Sequence, residues 1–130
     1  MKKIQTILLF VSFTLIFTSC DPVYQVEFIV NNQTDDDLTI VSYPFFEQAR
    51  DSSRFSSGSQ LVVFVAEGIG MTAEDAYEAI EEIPFDSIII KNASGELLTM
   101  DQWDMNNWTG EFREDNEIGV YKLTVTNDDF

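Results

Sequence analysis

Three features of this chain predict a mainly β fold with one helix. Short stretches of alternating apolar and polar residues recur between polar turns, and a single stretch carries helical spacing. Hydrophobic residues make up 45% and aromatics 13%, enough to close one core without disulfides. About seven strand-like segments at this spacing predict an antiparallel β-sandwich of immunoglobulin-like style, with the helix crossing between sheets. The alternative is an α+β fold, in which an apolar segment at 61–66, the helix and a second apolar segment at 87–91 form one βαβ crossover.

The first strand is expected at 24–30, where Tyr24, Val26, Phe28 and Val30 share one face and Gln25 and Glu27 point away. A polar turn at 31–37 and a second strand at 38–43 read as a hairpin, ended by Pro44. Residues 45–60 are serine-rich and predict a loop, with Phe45, Phe46 and Phe55 as packing anchors. Residues 61–66 are continuously apolar, as in a strand covered on both faces. Gly68 and Gly70 then break the strand, and Thr72 caps a helix with Asp75 three positions on. Its apolar stripe is Ala73, Ala76, Tyr77, Ile80 and Ile83, its polar face is wholly acidic, and Pro84 stops it. Residues 87–91 and 97–100 flank the turn Asn92-Ala93-Ser94-Gly95 and predict a second hairpin. A strand at 108–113, a turn at 114–117 and an alternating strand at 120–126 complete the chain, with Tyr121, Leu123 and Val125 facing inward.

The N-terminus follows a different grammar. Lys2 and Lys3 precede fourteen nearly apolar residues, 4–17, and small Thr18 and Ser19 close the run. A bilayer-spanning helix needs roughly 20 residues, so this pattern predicts a cleavable secretory signal at 1–19. Phe17, Thr18, Ser19 and Cys20 then resemble the lipobox of bacterial lipoproteins, in an aromatic variant similar to those of Bacteroides and its relatives. The resemblance implies that Cys20, the sole cysteine, carries acyl chains such as palmitate and becomes the mature N-terminus. It implies a membrane partner through that anchor, and a place in the bacterial envelope at the outer membrane. The body would be one acidic domain, 20–130, on a leader of only Asp21, Pro22 and Val23.

Charge and residue types narrow the function classes. Loss of Lys2 and Lys3 with the signal leaves five basic against 23 acidic residues, a net charge of −18. Such a body repels phosphate backbones, so no nucleic-acid partner is expected. There is no histidine, which removes histidine-based triads, cysteine–histidine dyads and typical zinc sites. Gly68-Ile69-Gly70-Met71-Thr72-Ala73 matches a dinucleotide fingerprint in spacing, but Glu67 and an acidic first turn would repel pyrophosphate, so no cofactor is expected. Most carboxylates fall in turns or on a solvated helix face, no pocket holding two acids such as Glu111 and Glu114 is expected, and a non-catalytic role follows as the expectation.

What remains is binding, to an envelope protein or a glycan. Trp103, Trp108 and Tyr43 are candidates for an aromatic platform that stacks on a ligand. Asp101, Asp104 and Asn106 are the candidate oxygen donors for calcium, with acidic runs at 35–37 and 114–117 also considered. Asp86-Ser87-Ile88 resembles a short O-glycosylation signal of Bacteroides-type envelope proteins.

Overall fold

The computed structural model describes residues 22–43, 51–84 and 87–130, with backbone alone at Ser42, Tyr43, Asp51 and Ser87. The signal, Cys20, Phe45, Phe46 and Asp86 lie outside the described residues. Seven strands and one short helix follow in order: β1 (Val23–Asn32), β2 (Leu38–Tyr43), β3 (Asp51–Phe55), β4 (Gln60–Ile69), α1 (Ala73–Glu78), β5 (Ser87–Lys91), β6 (Trp108–Arg113) and β7 (Ile118–Val125). They form a four-stranded sheet, β4-β1-β7-β6, and a three-stranded sheet, β3-β2-β5. The described chain is thus mainly β, a two-sheet β-sandwich with one short helix. All pairings between these strands are antiparallel except that of β1 with β7, which is parallel.

The alternation read in the sequence explains the core. Val26, Phe28, Val30, Leu123 and Val125 line the inner face of one sheet, against Leu38, Ile40, Phe55, Ile88 and Ile90 of the other. The Phe28 ring lies 5.2 Å from Tyr121, stacked, and 5.5 Å from Trp108, edge to face. Tyr77 extends the stack at 5.1 Å from Tyr121, which joins the helix to this aromatic column. Gly119 leaves room for it, since a Cβ there would sit 2.8 Å from the Cβ of Tyr77. The Tyr121 hydroxyl donates to the Tyr77 carbonyl at 2.9 Å. Burial, then the neighbouring Tyr77, raises its pKa, so it remains a donor at neutral pH.

The βαβ alternative fails because β4 and β5 lie in different sheets, with α1 passing from one to the other. The first expected hairpin also fails. β1 pairs with β4 and β7, whereas β2 pairs with β3 and β5. The turn between β1 and β2 changes sheets instead of reversing within one. Part of the serine-rich segment is a strand, β3, because pairing with β2 satisfies its backbone and buries Phe55 despite poor β propensity elsewhere in it. The apolar strand β4 is not covered on both faces. It sits at the sheet edge, and Val62 is exposed. It also runs through Gly68 to Ile69, and Gly70, at φ +98°, makes the break. The second hairpin shrinks to one bridge, between Lys91 and Leu97. The helix ends at Glu78, short of Pro84. No basic residue occupies its last turn, and the acidic Glu81 and Glu82 oppose the helix dipole beyond it.

Candidate functional site

The sequence between β5 and β6 builds a projecting loop with local hydrogen bonds. Asp101 Oδ1 accepts from the Trp103 backbone N–H at 2.9 Å, and Asn107 Nδ2 donates to the Asp101 carbonyl at 2.7 Å. Asp104 caps a 3₁₀ turn at Met105–Asn107, with Oδ1 accepting from the Asn106 backbone N–H at 2.9 Å and from its Nδ2 at 2.7 Å. The loop is fixed to the core from beneath. The Trp108 indole N–H donates to the Gln102 carbonyl at 2.9 Å, and Gln102 Nε2 donates to the Ile88 carbonyl at 3.0 Å. Met105 packs against the core cluster.

The two tryptophans therefore have opposite roles. Trp108 is 5% exposed and is a core side chain, so it offers no face to a ligand. Trp103 is 41% exposed at the top of the loop. Tyr43 ends β2 in the three-stranded sheet, and its side chain lies outside the description. The expected three-residue aromatic platform thus reduces, among the described side chains, to Trp103.

Trp103 faces an open cleft of about 630 Å³, lined also by Glu81, Glu82, Ile83, Asp104, Met105 and Asn106. Early termination of α1 is what brings Glu81 and Glu82 here. Helical spacing alone puts both on a solvated helix face, away from the cleft. Pro84 and the lack of a last-turn cation were the signals that the helix would stop before them. The cleft presents a flat indole surface beside exposed carboxylates and an amide. That composition suits a polyhydroxylated or a cationic ligand, through stacking and hydrogen bonding.

The calcium candidates are differently placed. One oxygen of each of Asp101 and Asp104 is taken by a backbone N–H, and Asn106 turns its amide nitrogen toward Asp104. Among the described residues, no group of three or more acidic or cysteine side chains is placed to hold a metal ion. In the run at 35–37, Asp35 Oδ2 accepts from Asn127 and Asp37 pairs with Arg54 at 3.0 Å. Glu114 and Glu117 line a second opening of about 350 Å³ with Thr72, Ala73, Glu74 and Phe112. Glu111 lies 3.6 Å from Arg113 on β6, apart from that opening's lining. Of the glycine motif before α1, Gly68 and Ile69 end β4, and only Gly70 to Thr72 turn into the six-residue helix, which Thr72 caps with Asp75.

Set against family models, curated proteins and solved structures, the chain matches none of them. Among the described residues no helix is long and apolar enough to cross a membrane.

Proposed function

We propose that this chain is a non-catalytic, lipid-anchored lipoprotein of a bacterial envelope whose sandwich serves as a binding module. The anchor is Cys20, proposed from the lipobox-like run that ends there. Two or more acyl chains on one residue hold a protein stably, at about 0.8 kcal/mol per buried methylene. The observation that supports a binding role is the open cleft at Trp103, an exposed indole held on a loop that the core itself braces. Metabolic labelling with radioactive palmitate is expected to mark the wild-type protein and to leave Cys20→Ala unlabelled. An unlabelled wild-type protein would overturn the anchor.

A carbohydrate-binding accessory role is favoured within this reading by the same cleft. Glu81, Glu82 and Asp104 supply acceptors for sugar hydroxyls around an aromatic face. On a glycan array, Trp103→Ala is expected to abolish binding while its unfolding midpoint stays near that of the wild type. A wild-type domain that binds no glycan would end this reading. A calcium-dependent adhesion module is the less favoured proposal, since the oxygens of Asp101 and Asp104 already serve the loop backbone.

A further inference from the structure

The strongest unexplained surface lies where the described chain begins. Val23 opens β1 and is 72% exposed, and its cross-strand partner Ile69 is 71% exposed. Paired residues on adjacent strands project to the same side of a sheet, so the two form one apolar surface. Exposed Pro22 continues it, and its carbonyl accepts from Gly70 at 2.9 Å. Met71, 41% exposed, follows directly. Water-facing apolar residues on a protein of net charge −16 are otherwise dispersed, and here four gather at one corner.

Cys20 stands three residues before Val23. Even a fully extended chain spans at most about 3.6 Å per residue, so the Cα of Cys20 lies within about 11 Å of that of Val23. An acyl chain on the Cys20 sulfur therefore holds this end of the sandwich close to the headgroup layer. We propose that Pro22, Val23, Ile69 and Met71 form a membrane-docking patch that seats the sandwich against the bilayer and fixes its orientation. The patch then acts as a second contact beside the lipid anchor, and Ile69, on the other strand, prevents free rotation about the leader. The acidity of the body selects the surface: zwitterionic headgroups accept it, and anionic ones repel it.

This docking rests on the lipoprotein reading, and the two are separable by experiment. Acylation consumes the thiol of Cys20, so an introduced cysteine is the one labelling site in the mature chain. The full-length lipidated protein carrying Ile69→Cys would be labelled with an environment-sensitive fluorophore and reconstituted in phosphatidylcholine vesicles. Leu97→Cys serves as the control, because Leu97 is 58% exposed and bridges Lys91, whose partner Thr39 follows the turn at the far end of β1. Emission from position 69 is expected to shift to shorter wavelength and to be quenched by spin-labelled lipid, while position 97 reports water. Met71→Glu, or vesicles rich in phosphatidylglycerol, should weaken both signals at position 69. A lipidated protein with water-like emission at both positions overturns the docking and leaves the anchor standing. A native protein whose Cys20 carries no lipid by mass spectrometry overturns both.

Discussion

Trp108→Ala is expected to lower the free energy of unfolding by about 3–5 kcal/mol, the usual cost of emptying a large aromatic site in a core. Whole domains of this size are stable by only about 5–15 kcal/mol, so the variant should sit near the edge of folding. Three losses add at this position. The indole is almost fully buried, its edge packs on Phe28 at 5.5 Å, and its N–H holds the Gln102 carbonyl. The last contact couples the core to the Trp103 loop, so the same substitution should also loosen the cleft. Trp103→Ala, by contrast, should cost under about 1 kcal/mol, because its side chain is half in water and borders an open cleft. Urea titration of the two variants checks this. Equal midpoints would show that the two tryptophans are not divided between core and cleft.

That division was beyond reach of the sequence for a definite reason. Trp103 and Trp108 are five residues apart in a polar segment, and neither lies in a regular alternation that assigns a face. Only the strand boundary at Trp108, and its register opposite Leu123, turns it inward. Where alternation is regular the reading was secure. Val26, Phe28 and Val30 are buried as the pattern required, and so are Leu123 and Val125. Pairing was harder, because alternation says which way a side chain points but not which strand lies alongside. The parallel neighbour of β1 is β7, more than ninety residues away in register, as in Val26 beside Gly119. No local turn signal encodes such a pair. The cleft was half legible: Trp103, Asp104 and Asn106 were candidates, while Glu81 and Glu82 joined them only because the helix stops early.

The sheet change after β1 has its own determinant, and Asn32→Ala is expected to cost about 2–4 kcal/mol by stripping buried partners. Asn32 is fully buried at the end of β1. Its Nδ2 donates to the Asp36 carbonyl at 2.8 Å, and its Oδ1 accepts from the Thr34 backbone N–H at 3.0 Å and the Thr34 hydroxyl at 2.7 Å. Its backbone N–H donates to Ser59 and its carbonyl accepts from Gly58, so one residue ties the turn to the start of β4. Asn32→Asp provides the sharper measurement. The carboxylate keeps the acceptor but loses the donor, and as an anion it would be buried facing the Asp36 carbonyl. Burial of that kind raises a carboxyl's folded pKa above its unfolded value of about 3.9. The folded state then holds the proton more tightly, so the variant loses stability as pH climbs from the unfolded pKa through the folded one. Below both values the protonated acid can donate to Asp36 as the amide did, and the gap to the wild type should narrow. A parallel series of unfolding curves against pH would show the Asn32→Asp deficit growing upward while that of Asn32→Ala stays level. If both deficits were flat and small, the turn would owe its path to strand pairing rather than to this side chain.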